Sequence, residues 1–223
     1  MGRKVDFSVG YFYHIYNRGV DKRVIFSDES DYFRFIETLY FFNDDKPTDY
    51  YHLNWGGPTS TERDRLVGIL CYCLMPNHFH FILTPLKEKG IQKFMQKIST
   101  GYAMYFNEKY KRSGSLFEGR YKAILIDSDG YFTHLTRYIH LNPVKLLYPD
   151  WKEKSVKWKE IEKFLKGYKW SSLPFYLKIK KKSNILDTEL IKNHLVIKLG
   201  EEYERFIGEV RPPQEDLCGI DRK

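Results

Sequence analysis

Two apolar runs, Leu66 to Leu74 and His78 to Thr84, are separated only by the turn-forming Met75-Pro76-Asn77. So short a link between two strand-like segments predicts an antiparallel hairpin, and it limits the chain to folds that contain one. Successive strand side chains point to opposite faces. His78 and His80 therefore share one face of the hairpin, while Phe79 and Phe81 share the other. One face can pack on a core. The other presents two imidazoles about 7 Å apart along the backbone, a separation that converging side chains can close onto one metal ion. A pair of polar core histidines is the plainer reading of the same spacing.

The flanking segments extend the pattern. Tyr11 to Tyr16 reads as a first strand, ended by Asn17-Arg18-Gly19, and Asp31 to Phe42 carries apolar residues at helical spacing behind N-cap candidates in Ser27 to Ser30. Asp44 to Arg65 is polar, contains Pro47, Gly56, Gly57 and Pro58, and reads as a long loop. Ile91 to Lys109 is predicted helical, Tyr121 to Ile126 alternates as a fourth strand, and Asp129 to Leu141 is a helix stopped by Asn142-Pro143. The order is β-α-β-β-α-β followed by a helix. That is the ferredoxin-like split motif, an α+β fold. Further helices are expected over about Val156 to Lys166, from Trp170-Ser-Ser-Leu, over Asp187 to Leu199 and over Glu201 to Ile207, with Lys178 to Lys182 as a basic linker. The organisation expected is a domain over 1–148 and a helical C-terminal extension over 149–223.

Composition narrows the partners. A formal charge of +8 favours a polyanion, nucleic acid before membrane. The 18 Tyr and 16 Phe supply rings that can pack a core or stack on bases. No run of 18 apolar residues is present, so no membrane-spanning helix is expected. The first residues lack the apolar core of a signal peptide, and Asp6 stands where a myristoylation signal needs Ser or Thr. Three cysteines, Cys71, Cys73 and Cys218, do not suggest a disulfide framework, and a cytoplasmic location is the expectation. Cys71 and Cys73 with His78 and His80 form a rival, a structural zinc site, although the spacing is not that of a zinc finger.

On the helix before Asn142-Pro143, Tyr138 and Asn142 are four residues apart and share a face, with His134 one turn earlier on the same stripe. A tyrosine hydroxyl could serve as a nucleophile, an amide oxygen as a third metal ligand, and His134 as an auxiliary base. Equally, Tyr138 could be an amphipathic core residue and Asn142 a helix terminator. Arg18, Lys111, Arg112, Arg120 and Lys122 are the basic residues nearest the predicted site, candidates for DNA phosphates or for an ordinary solvated surface.

Pro76-Asn-His-Phe-His80, Ser113-Gly-Ser-Leu-Phe-Glu-Gly-Arg-Tyr-Lys122 and Arg137-Tyr-Ile-His-Leu-Asn-Pro-Val144 together resemble the single-tyrosine HUH transposases. The likeness is to the IS200-like and REP-associated tyrosine transposase group. Tyr168-Lys-Trp-Ser-Ser172 is similar to that group's C-terminal part, and the likeness runs over about residues 8 to 176. The resemblance implies a ferredoxin-like fold and roles for four residues. His78 and His80 would bind the metal, Asn142 would be its third ligand and Tyr138 the catalytic nucleophile. It implies Mg²⁺ or Mn²⁺ as cofactor and hairpin-bearing single-stranded DNA as partner. The reaction implied is cutting and rejoining through a 5′-phosphotyrosine intermediate, by a monomer or a homodimer. A non-catalytic nucleic-acid-binding protein with a ferredoxin-like sheet, and a domesticated nuclease acting on genomic repeats, are the alternatives.

Overall fold

A computed structural model describes residues 6–46, 63–149 and 157–209. Most of the loop expected over 44–65, Val156 and Cys218 lie outside the described residues. Four strands, β1 (Phe12–Arg18), β2 (Val67–Met75), β3 (His78–Pro85) and β4 (Lys122–Ile126), form one sheet in the order β2-β3-β1-β4. All neighbours are antiparallel. With α1 (Glu29–Phe41), α2 (Gly90–Lys109) and α3 (Asp129–Leu141), this is the α+β, ferredoxin-like βαββαβ arrangement with a helix after it.

Local chemistry sets the element ends. A reciprocal capping box between Asp28 and Asp31 starts α1, and Ser128 caps α3 by accepting from the Tyr131 amide. A Cβ on Gly90 would stand 2.2 Å from the Leu66 carbonyl oxygen, so the first turn of α2 can pass the start of β2 only with glycine there. Buried Asn43 accepts from the Leu66 and Val67 amides and donates to the Val67 carbonyl, tying the end of α1 to the same strand. β1 runs two residues beyond its expected end at Tyr16. Its register continues through Asn17↔Phe79 and Arg18↔His78, and cross-strand pairing overrides the turn propensity of Asn17.

The two faces of the sheet differ in chemistry. One carries Tyr13, Ile15, Phe79, Phe81 and Leu74 and packs under α1 and α2. Phe35 is fully buried there, its ring edge-on to Phe26 and Tyr102 and against Phe79 and Phe81. The other face carries His14, Tyr16, His78, His80, Cys71 and Cys73, and α3 lies across it.

The C-terminal segment adds α4 (Val144–Leu147), α5 (Trp158–Gly167), α6 (Leu173–Tyr176), α7 (Thr188–His194) and α8 (Glu201–Gly208). The helix expected over 187–199 stops at His194. Leu195 turns extended, and the Val196 amide is taken by the Thr133 hydroxyl on α3. Residues 170–172 lie along the open edge of β2. Leu74 N donates to Trp170 O and Ser172 N to Tyr72 O, both at 2.9 Å, which covers backbone groups an edge strand would otherwise expose.

A buried polar chain fixes α3 to both β2 and this segment. His140 Nε2 lies 2.7 Å from Ser172 Oγ and its Nδ1 lies 2.8 Å from the Tyr203 hydroxyl. That hydroxyl donates to Thr136 Oγ1, which donates to the Thr133 carbonyl. Every member is satisfied with a neutral His140 that donates from Nδ1 and accepts at Nε2. Burial depresses the His140 pKa to about 3. Below about pH 6.5 the unfolded chain therefore takes up a proton that the folded chain refuses, and stability falls as the pH falls.

Two predictions follow from this packing. Phe35→Ala should lose about 3–5 kcal/mol, read as the shift in a denaturant midpoint. Between pH 6 and 4, His140→Gln should show a stability slope shallower than wild type by about 1.4 kcal/mol per pH unit, read from unfolding curves across that range.

Candidate active site

The β1–β3 register builds the site. Tyr16 pairs with His80 and Arg18 with His78, so both histidines open onto the face that α3 covers. The His78 and His80 rings are 5.1 Å apart between centroids and perpendicular. Tyr138, half-buried on α3, sets its ring edge-on to His80 at 5.9 Å. Asn142 follows one turn later. It is buried, and its Nδ2 donates to the Tyr138 carbonyl at 3.1 Å, leaving Oδ1 as its remaining acceptor. The structure thus brings His78, His80 and Tyr138 together, with Asn142 on the same helix end.

Each histidine has a partner at Nδ1. His78 Nδ1 donates to Asn77 Oδ1 at 2.6 Å. His80 Nδ1 lies 3.0 Å from Nε2 of His14, a fully buried residue of β1. Burial, reinforced by the charges of His78, His14 and Lys145, pushes the His80 pKa well below the ordinary imidazole value. Burial alone lowers that of His14 to about 3. Neutral imidazoles are the form that ligates metal. Two such nitrogens on one face, with the Asn142 amide oxygen one helical turn beyond Tyr138, make a donor set that suits a divalent cation accepting mixed nitrogen and oxygen ligands.

The zinc alternative does not stand. Among the described residues no three His, Cys, Asp or Glu side chains are grouped to hold a metal. Cys71 Sγ instead turns to Ser172 Oγ and His140 Nε2, at 3.5 and 3.4 Å. Burial raises the Cys71 thiol to about 12 and that of Cys73 well above its usual value, which disfavours the thiolate that zinc requires.

The remaining candidates separate. Arg18 sits beside His78 and is paired through two nitrogens with Glu118. Lys122 pairs with Tyr16 in the register and holds Nζ 6.0 Å from that ring's centroid. Arg120 is exposed on the intervening segment. Arg112 is tied to Asn107 and the Ser115 carbonyl at the end of α2, and Lys111 is exposed next to it at a positive φ of 50°. His134 accepts from Arg137 at 3.1 Å and packs on Phe206 of α8, so its ring faces the C-terminal helix. Sequence reasoning missed His14, Tyr16, Glu118 and Lys145. The alternation of Tyr11 to Tyr16 did carry a signal for His14, a polar residue at an inward position of a strand.

Lys122→Ala should weaken binding of single-stranded oligonucleotides and lower the slope of log affinity against log salt by about 1. Lys111→Ala should change both less, and fluorescence anisotropy over a salt series reads the difference.

Residues 59–142 match the sequence profile of the family described as IS200-like transposases. No curated protein matches the chain. Among solved structures, the fold is similar to that of a REP-associated tyrosine transposase bound to a REP hairpin. The TM-score is 0.50 and the identity 13%, over 82% of this chain and 89% of that one. Weaker likenesses are to a transposase-like protein of Deinococcus radiodurans R1 and to a bacterial tRNA(His) guanylyltransferase-like protein in complex with ATP. The first has a TM-score of 0.35 and 14% identity, over 62% of this chain and 95% of that one. The second has a TM-score of 0.38 and 12% identity, over 74% of each chain. Among the described residues no helix is long and apolar enough to cross a membrane.

Proposed function

We propose that this protein, whose residues 59–142 match the IS200-like transposase profile, cuts and rejoins single-stranded DNA with Tyr138 as nucleophile. The observation that carries this reading is the contact of the Tyr138 ring with His80 of the same chain, 5.9 Å between centroids. It puts a phenol beside paired imidazoles on a face lined by Arg18 and Lys122.

In this reading the Tyr138 hydroxyl attacks the scissile phosphorus and the 3′-oxygen leaves. One P–O bond forms as another breaks, and the proton lost by the phenol is matched by the one the 3′-oxygen gains. The products are a 5′-phosphotyrosine and a free 3′-OH, and attack by a second strand's 3′-OH reverses the step. The phosphodiester energy is conserved in the covalent link, so no nucleotide cofactor is needed. Mg²⁺ or Mn²⁺, held by His78, His80 and Asn142 Oδ1, would polarise the phosphate and offset charge in the transition state. Asn77 holds the His78 ring for that role. Arg18, oriented by Glu118, and Lys122 bind backbone phosphates, and Tyr16 beneath Lys122 walls the site. Hairpin-bearing DNA is the substrate class to test first, because the structurally similar transposase is bound to a REP hairpin.

The test is adduct formation on a denaturing gel with labelled hairpin-bearing oligonucleotides and Mg²⁺ or Mn²⁺. Wild type should give a shifted band that keeps the label 3′ of the cut, and EDTA or Tyr138→Phe should abolish it. An undiminished adduct with Tyr138→Phe would sink the assignment of the nucleophile. Tight binding without an adduct on any substrate would support a non-catalytic binding protein instead.

A further inference from the structure

We propose that His14 is a positioning residue for His80. It accepts the hydrogen of His80 Nδ1 and so presents the Nε2 lone pair of His80 to the cation. The inference rests on the metal site proposed above and assigns a role to a residue outside its ligand set.

Three observations carry it. The first is geometric. His14 lies on the same sheet face as His80, two pairs along the β1–β3 register, with its ring stacked at 5.2 Å and 22°. The 3.0 Å approach of His14 Nε2 to His80 Nδ1 closes a hydrogen bond between two buried side chains. Two neutral imidazoles that meet nitrogen to nitrogen share one hydrogen. With it on His80 Nδ1, the opposite nitrogen of His80 is bare and can ligate. With it on His14 Nε2, His80 carries its hydrogen on Nε2 and cannot.

The second observation is what His14 forgoes. Its Nδ1 is buried with no hydrogen-bond partner among the described residues. A buried polar nitrogen left unpaired costs on the order of 1–3 kcal/mol. An aliphatic side chain would fill this position without that penalty, so the one hydrogen bond His14 makes among the described residues, to His80, is what distinguishes it from an apolar residue. The third observation is the parallel with His78, whose Nδ1 donates to Asn77 Oδ1. Both histidines of the pair are thus gripped at Nδ1. Support of this kind for metal-bound imidazoles fixes tautomer and ring orientation, and its loss typically weakens metal affinity 10–100-fold.

Mn²⁺ binding to the full-length protein, followed by electron paramagnetic resonance of the free ion, tests the inference without DNA cleavage. Wild type, His80→Ala, His14→Leu and His14→Gln are compared, with unfolding curves to confirm that each is folded. His14→Leu should weaken Mn²⁺ affinity about 10–100-fold. His14→Gln, whose amide oxygen can accept from His80 Nδ1, should recover most of that loss. The Mg²⁺-loaded wild type should show His80 as the Nδ1–H tautomer in long-range ¹H–¹⁵N spectra. If His14→Leu does not fold, this tautomer decides the matter, and an Nε2–H His80 overturns the proposal. Mn²⁺ affinity lost in His80→Ala but unchanged in His14→Leu would overturn the role of His14 alone. Affinity unchanged in His80→Ala would overturn the metal site and this inference with it.

Discussion

The antiparallel register of β1 on β3 is the constraint on which the rest depends. It sets His14, Tyr16 and Arg18 on the same face as Ile82, His80 and His78. A slip of one residue would turn Phe79 and Phe81 toward α3 and bury the histidines under α1 and α2. Such a slip is opposed from the apolar side. Phe79 and Phe81 meet the fully buried Phe35, and a slip would exchange these ring contacts for imidazoles. The site is therefore held in register by packing on the opposite face of the sheet.

The polar face is unusual in being nearly as well buried as the apolar one. Helix α3 lies across it, with α7 against β2, and α3 is secured by groups far along the chain. His140 joins Ser172 and Tyr203, and the backbone of residues 170–172 lies on the edge of β2. The core is continuous from β1 through α5 and α8. Residues after about 157 thus hold the helix that carries Tyr138. Burial also explains why His14, His80 and His140 all have depressed pKa values, although they do different work. Removing an imidazole from water disfavours its cation. Neutrality lets His140 bridge donor and acceptor, and it leaves the pair on β3 with lone pairs to offer.

Much of this architecture is legible in the chain because it is local. The Met75-Pro76-Asn77 link fixes the hairpin, and alternation places His78 and His80 together. A four-residue spacing puts Tyr138 and Asn142 on one side of α3, whose predicted limits, 129 and 141, are the observed ones. Errors gather where distant partners intervene. Arg18 continues β1 because His78 pairs with it. Helix α7 ends early because Thr133 captures the next segment. Cys71 leaves the histidine pair because Ser172 and His140 offer it a closer polar setting.

The sequence by itself determined the strand and helix order, the apolar and polar faces, and the residues able to do chemistry. These follow from periodicity and turn propensity within a few residues of each position. Only the tertiary structure decided which of those residues meet. That Tyr138 faces His80 while His134 faces Phe206 depends on how α3 is rotated on the sheet, and α8 and residues 170–172 set that rotation. That His14 faces His80 depends on a pairing between residues 66 positions apart. Such contacts arise from close packing of elements across long chain separations, where side-chain volume and buried hydrogen bonds select one docking geometry. No window of neighbouring residues encodes that choice.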